Sequence, residues 1–269
     1  MAALSPLMTV MMRAADKACS QLLRDFAELE NLQISEKTPG QFVTAADKRA
    51  EDTIHYNLSK DRPEFGFLME ESGEIKGNDP DRRFIIDPID GTHNFMRGIP
   101  HWSISIALEE MDEITAGLIM DPVKNEVFYA EKGKGAFSRH VRLRVSGRRE
   151  LKSATIGTWV MGARENYPDN SKNKLLDIED VLRTKCGDFR QMGSNCLEMA
   201  YVASGRLDGQ VMDILSPWDI AAGAIIIREA GGVVSDWKGI AKDAVYAGKI
   251  ITGNSYIHPE LLNITKKAS

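Results

Sequence analysis

The stretch Phe84 to Phe95, FIIDPIDGTHNF, constrains the folding of this chain more than any other. Phe84, Ile85 and Ile86 form a short, unbroken apolar run bounded by Arg83 and Pro88, the pattern of a strand buried on both faces. Asp87 and Asp90 therefore stand at that strand's exit. Pro88 stiffens the turn between them, and Gly91-Thr92 can open a helix whose free N–H groups face the same point.

The 269 residues, 43% hydrophobic and 27% charged, suffice for one large domain or two smaller ones sharing a core. There is no internal repeat, low-complexity tract or flexible linker, but the pattern changes near Glu150. Two halves are expected, packed as one unit: residues 1–150, α+β and carrying DPIDGT, and residues 151–269, α/β and carrying WDIAAG. The net charge of -5 gives no basic nucleic-acid footprint, although VRLRVSGRRE (141–150) is locally basic and reads as a solvated strand and turn. Cys19, Cys186 and Cys196 fit neither a CxxC pair nor a disulfide framework, which points to a reducing compartment. The apolar start MAALSPLMTVMM lacks a preceding basic residue and is broken by Pro6, so it does not read as a signal peptide. No apolar run approaches the ~20 residues of a membrane helix, and a soluble cytoplasmic protein is expected.

Ala14, Ala18, Leu22 and Phe26, four apart, predict a long first helix over 7–30. Thr44 is expected to cap a second helix running to about Leu58, with Asp47 in its first turn. A strand at 65–69 leads through a polar surface loop, EESGEIKGNDPD, to the strand ending at Asp87. Strands at 103–108, 113–120 and 126–130 form a meander, followed by a glycine-rich bend, GKGAF (133–137), and a strand at about 139–145. The second half alternates: strand ATIGTWV (154–160), helices around 174–183 and 194–203, a strand near 207–212, a helix from about Asp219 to Ala230, strands at 232–236 and 249–252, and a last helix.

Asp47, Glu70, Asp87, Asp90 and Asp219 each fall at the end of an expected element. Singly, each reads as a solvated acid at a cap or turn. Gathered in one cleft they would repel strongly unless cations were bound, and oxygen ligands without paired His or Cys favour Mg²⁺ over zinc. Carboxylates beside an anion-binding helix start make a phosphate site.

FIIDPIDGTHNF and WDIAAGAIIIREAGG (218–232) resemble the two signature motifs of the inositol monophosphatase family, Mg²⁺-dependent, lithium-sensitive phosphomonoesterases. VTAAD (43–47), MEESG (69–73), GKGAF and Gly193-Ser194 match in the same order over nearly the whole chain. The resemblance implies an αβαβα sandwich, usually a homodimer, binding two to three Mg²⁺ ions. It places one ion on Glu70, Asp87 and the Ile89 carbonyl and a second on Asp87, Asp90 and Asp219, with a third, looser ion using Glu70. Thr92, in reach of Asp47, would orient the attacking water, with Glu70 a further candidate, and the Gly91 and Thr92 N–H groups would bind phosphate.

Substrate contacts carried over by resemblance are Asp90, Gly91, Thr92, Arg190, Gly193, Ser194, Asn195, Met212, Asp213 and Asp219. Two depart from the family pattern. Met212 stands where inositol-handling members place a glutamate, so either Asp213 substitutes for it or the polyol preference has changed. Asn195 stands where a small residue is common and could read a polar group or cap a helix. Arg190 reads equally as a surface ion pair, and His101 and Trp102 as packing near a strand start. The expected activity is hydrolysis of a small polyol or sugar phosphate monoester, inositol 1-phosphate by default. Histidinol phosphate and fructose 1,6-bisphosphate are the alternatives, and a catalytically idle interaction protein is the alternative of another class.

Overall fold

The structure, a computed structural model, describes residues 4–32, 39–158, 169–213, 215–242 and 244–268. Two helices come first, α1 (Pro6–Leu32) and α2 (Pro39–Asp61), then strands β1 (Gly66–Met69), β2 (Gly73–Ile75) and β3 (Arg82–Asp90). A short helix, α3 (Thr92–Met96), precedes β4 (Ser103–Glu110), β5 (Glu113–Asp121), β6 (Glu126–Glu131), β7 (Gly135–Ser138) and β8 (Val141–Arg142). These strands form one eight-stranded sheet ordered β2-β1-β3-β4-β5-β6-β7-β8, in which β1 and β3 are parallel. The later residues form β9 (Thr155–Thr158), α4 (Asp169–Lys185), β10 (Asp188–Arg190), α5 (Asn195–Ala203), β11 (Gly209–Asp213), α6 (Pro217–Glu229), β12 (Val233–Ser235), β13 (Lys249–Gly253) and α7 (Ile257–Ala268). Their five strands make a mixed sheet ordered β10-β9-β11-β13-β12.

The pleat sorts successive side chains into different layers. Phe84 and Ile86 of β3 pack with Met11 and Leu22 of α1 and Ile54 of α2, whereas Ile85 joins Leu197 of α5 and Ala222 and Ile226 of α6. In the second sheet Met212 and Ile250 face that same α5/α6 layer, while Val211 and Ile251 pack with Leu182 of α4 and Leu261 of α7. The result is five layers, α-β-α-β-α. Gly117 lets α6 lie close on β5: a Cβ there would sit 2.6 Å from Ile225 Cγ2 and 2.7 Å from the Ala222 carbonyl oxygen.

Several local expectations are corrected. Thr44 lies inside α2, which opens at Pro39, a residue whose fixed φ and missing N–H suit a first helical turn. Asp47 is consequently two turns further into the helix than its sequence context implied. The polar segment after Met69 contains β2, which hairpins back onto β1 through Gly73 at φ 70°; an edge pairing of backbones needs no apolar side chains. GKGAF supplies the start of β7 and is not only a bend, while the strand expected at 139–145 shrinks to Val141–Arg142 after a left-handed turn at Arg139. β10, three residues long, carried no recognisable strand pattern. The end of ATIGTWV, residues 159–160, lies outside the described residues. Among the described residues no helix is long and apolar enough to cross a membrane.

Candidate active site

The parallel register of β1 and β3 matches Met69 with Ile86, so the next positions, Glu70 and Asp87, emerge side by side. The Glu70 N–H donates to the Ile86 carbonyl at 3.3 Å, and the two carboxyl groups are in hydrogen-bonding contact. On the other edge Asp87 faces Ser105 and Asp90 faces Ser103, with the register slipping between them where Pro88 has no N–H to offer. Asp90 is thereby re-aimed at the start of α5. It accepts from Ser194 Oγ, from Ser103 Oγ at 3.2 Å, and from the N–H groups of Asn195 and Cys196 at 3.1 and 2.9 Å. Asp219 is fixed in the first turn of α6 by the Ser216 N–H at 2.7 Å.

These acids act on each other. Burial pushes the Asp47 carboxyl up to about 8, with Glu70, Glu71 and Glu51 adding to it. Burial and then Asp90 push Asp219 up to about 7. Asp87, 2% exposed, is raised far above the carboxylate range by burial and by Glu70, Asp90 and Asp219. Glu70 is exposed as a residue, but its carboxyl end reaches into the crowd, and desolvation with its acidic neighbours pushes it to about 7. For Asp90 burial outweighs the four hydrogen bonds, which oppose it, and its carboxyl is raised.

A cation fits this donor set. Among the described residues no Lys or Arg pairs with any of the five acids, and Asp47 Oδ1 and Asp87 Oδ1 are buried without a hydrogen-bond partner. Buried acids with neither counter-ion nor donor are the arrangement a bound cation resolves. Asp87, Asp90 and Cys196 each offer an atom within 4.8 Å of the others. Burial and the adjacent acids raise the Cys196 thiol, and it donates to the Asp219 carbonyl at 3.4 Å, which leaves the oxygens as the better ligands. An all-oxygen set remains, which selects a hard cation.

Two glycines make a close packing contact beside it. Gly91, at φ 95°, comes so close to the loop before α5 that a Cβ would lie 3.0 Å from the Gly193 carbonyl oxygen and 3.2 Å from Ser194 Cβ. Gly193, at φ 82°, has Asn94 Nδ2 2.9 Å from where its own Cβ would be. Thr92 opens α3, but its hydroxyl donates to the Ile89 carbonyl at 3.0 Å and not to Asp47. Its lone pairs are left to accept.

Of the other expected substrate contacts, Asn195 meets the site only as a buried support for Asp90 and Asp219, and Met212, Asp213 and Arg190 separate from it. Asn195 is fully buried and not an exposed cap; Ser194 is the N-cap of α5, and the Asn195 amide is committed to the Asp219 carbonyl and to Gln210. Met212, 1% exposed, sits in the core with α5 and α6 and offers a substrate no surface. Asp213 turns to the opposite face and pairs with Lys249 at 2.9 Å. Arg190 is exposed and paired with Asp188 at 2.6 Å. His101 and Trp102 are buried just ahead of β4, as expected. Sequence reasoning missed Ser103 on Asp90 and Asn94, whose Nδ2 donates to the carbonyls of His101 and Met192 at 2.7 and 2.8 Å. Neither residue type marks such a role without its partner in view.

A five-layer α-β-α-β-α fold with carboxylates from four elements meeting beside two close-packed glycines defines a metal-assisted phosphate hydrolase. The chain belongs to the inositol monophosphatase family, whose model matches residues 3–269, and it is a phosphoric monoester hydrolase of that family. It is 46% identical over 263 residues to a Mesorhizobium japonicum protein named inositol-1-monophosphatase, covering 98% of this chain and 97% of that relative. It is 37% identical over 257 residues to the Escherichia coli protein named Nus factor SuhB, covering 96% and 94%. The crystal structure of the extragenic suppressor protein suhB from Bartonella henselae superposes with a TM-score of 0.87 at 44% identity, covering 98% of this chain and 99% of that one.

Proposed function

We propose that the chain hydrolyses a small polyol phosphate, with inositol 1-phosphate the first candidate, using Mg²⁺ held by Glu70, Asp87, the Ile89 carbonyl, Asp90 and Asp219. The observation that carries this reading is the set of buried acids without a counter-ion, two of them with an orphaned oxygen. When bound, such cations act as Lewis acids on the phosphoryl group and lower the pKa of a bound water. Thr92, its own proton committed to the Ile89 carbonyl, would accept a hydrogen bond from the attacking water and orient it, and Asp47 or Glu70 would take the proton the water loses. Gly91 and Gly193 make their close contact beside the acids, and the first N–H groups of α3 have no partner inside their helix and so turn to phosphate oxygens.

The name of the Mesorhizobium relative supports inositol 1-phosphate over the alternatives. The histidinol-phosphate reading needs an acidic contact for an amine, and Asp213 is already paired with Lys249. The name of the Escherichia coli relative supports an interaction role as a second reading. An idle scaffold, however, would have no reason to keep a cluster that costs it stability. We further infer that residues 1–150 and 151–269 pack as one unit, because one core cluster joins Ile85 and Phe128 to Met212 and Ile250. A homodimer in the cytoplasm is the working assembly, three free cysteines being compatible with that compartment.

Phosphate release with Mg²⁺ from inositol 1-phosphate, histidinol phosphate and fructose 1,6-bisphosphate, with Asp90→Asn as the blank, tests the reading. Turnover of inositol 1-phosphate at least about tenfold above the others is expected, roughly the low end of the discrimination that a methylene-sized difference in fit provides. Equal release from wild type and blank would remove the enzymatic reading.

A further inference from the structure

Glu198 is carried by α5 and is fully buried. Among the described residues it is paired with no cation, and the charged group acting on it is another acid, Asp90. Its Oε1 accepts from the Met192 N–H at 2.9 Å and the carboxyl is also in reach of the Gly193 N–H, whereas Oε2 has no hydrogen-bond partner of its own. The neighbouring Gln210 of β11 is in hydrogen-bonding contact with Glu198 and also has an orphaned oxygen, Oε1. The register of β9 on β11 sets Gly157 opposite Gln210, and a Cβ on Gly157 would lie 2.6 Å from Glu198 Oε2. Only glycine leaves the carboxyl room.

The polarity of the chain beyond Gln210 is set from its far end. A carbonyl oxygen can only accept, so Asn195 presents Nδ2 to the Asp219 carbonyl, at 2.5 Å. Asn195 Oδ1 then faces Gln210 and accepts from Nε2 at 2.9 Å. Gln210 is thus left with Oε1 as an acceptor lacking a hydrogen.

We propose that Glu198 is a neutral carboxylic acid whose Oε2–H donates to Gln210 Oε1, a positioning residue that locks the Met192–Ser194 loop to the turn carrying Asp219. One proton gives both orphaned oxygens a partner, whereas an ionised Glu198 would bury a charge with no cation beside it. Burial, joined by Asp90, outweighs the opposing hydrogen bonds of the Met192 and Gly193 N–H groups and of Gln210 and pushes this carboxyl up to about 8, in keeping with that state. At the near end, Met192 is gripped twice: its N–H by Glu198 and its carbonyl by Asn94 Nδ2 at 2.8 Å. Gly193 and Ser194, which follow it, pack on Gly91 and bind Asp90. The relay therefore joins the Asp90 side of the metal site to the Asp219 side. Its bearing on catalysis rests on the phosphatase reading; the protonation state does not.

Two measurements that need no substrate test it. The infrared difference between wild type and Glu198→Gln, both loaded with Mg²⁺ at neutral pH, should contain the C=O stretch of a protonated carboxyl in wild type only. Carboxylate bands in its place would overturn the proposal. By calorimetry, Glu198→Gln, which keeps one donor and one acceptor, should bind Mg²⁺ within about twofold of wild type, while Glu198→Leu should bind about 10–100-fold more weakly. Equal weakening by Gln and Leu, or no weakening by Leu, would overturn it as well. If the Leu variant does not fold, the infrared comparison and the Gln variant still decide. A failed substrate assay with the infrared band present would count against the phosphatase reading alone.

Discussion

Asp87→Asn and Asp90→Asn should both lower turnover by roughly 10³-fold or more, the worth of several kcal/mol of metal-derived stabilisation, yet shift metal-free stability in opposite directions. Asp87 has a buried oxygen without a partner and feels Glu70, Asp90 and Asp219. Asparagine there removes a carboxyl that folding must protonate or crowd against other acids, and it offers an N–H to Glu70, so the melting temperature in EDTA should rise. Asp90 accepts from four donors, with Oδ1 taking the Asn195 N–H and Oδ2 the other three. Asparagine can keep one oxygen in place and must set its own N–H₂ against a donor. A donor left buried and unpaired costs about 1–3 kcal/mol, so melting should fall by about 2–10 °C for a chain of this size. Thermal melts of the two variants in chelator, beside wild type, decide it. A shift of the same sign in both would mean that Asp90's hydrogen bonds do not hold the start of α5, or that Asp87 is not repelled.

The contrast assigns the two acids of one motif different structural duties. Asp90 is a fastener: three of its four hydrogen bonds bring the α5 N-terminus onto the end of β3, the fourth tying it to Ser103 of β4, and removing it loosens the contact between the first sheet and the α5/α6 layer. Asp87 fastens nothing beyond its contact with the Glu70 carboxyl, and it pushes away the other acids around it. Its presence in a fully packed strand is a local conflict of the kind that function imposes on a fold.

How much of this was legible in the sequence follows from the range of the forces involved. The unbroken run Phe84-Ile85-Ile86 announced a strand covered on both sides, and Ile85 does face a different helical layer from Phe84 and Ile86. The helix of Ala14, Ala18, Leu22 and Phe26 was equally plain, because all four lie on its buried stripe. Asp87 and Asp90 could be placed because a strand end and a proline turn are local features. Met212, Asn195 and Asp213 could not, since the side of β11 a residue faces depends on which layers cover it, and neither Lys249 nor Gln210 is near in sequence. β2 and β10 escaped because edge pairing is made by backbone groups that every residue carries. Glu198 looked like an ordinary charge in a helix until its complete burial was seen.

Mg²⁺ should stabilise the protein increasingly as pH rises, and chelated protein should weaken over the same range. Asp47 and Asp219 have folded-state values of about 8 and about 7, against roughly 4 for a carboxyl in the unfolded chain. A group whose value is raised on folding binds its proton more tightly in the native state, so the metal-free protein is most stable below about pH 4 as far as these groups are concerned. Stability then falls as pH climbs toward about 8, when the unfolded chain has already released protons that the native site still holds. Buried Asp87 adds to the trend in the same direction, as does Glu70, whose carboxyl is pushed to about 7. Cations compete with those protons for the same oxygens, so their apparent affinity should strengthen through the same window. At about pH 8 and 100 times the dissociation constant, one bound ion contributes about 2.7 kcal/mol, which should raise melting by about 5–10 °C over the chelated protein. At about pH 5, and the same Mg²⁺ concentration, the gain should nearly vanish, because protonated carboxyls are poor ligands. Melts over this range with and without Mg²⁺ test the linkage. A gain independent of pH would show that the ion binds away from Asp87 and Asp219, whereas a gain that grows with pH but vanishes in Asp87→Asn would place it on the Asp87 site.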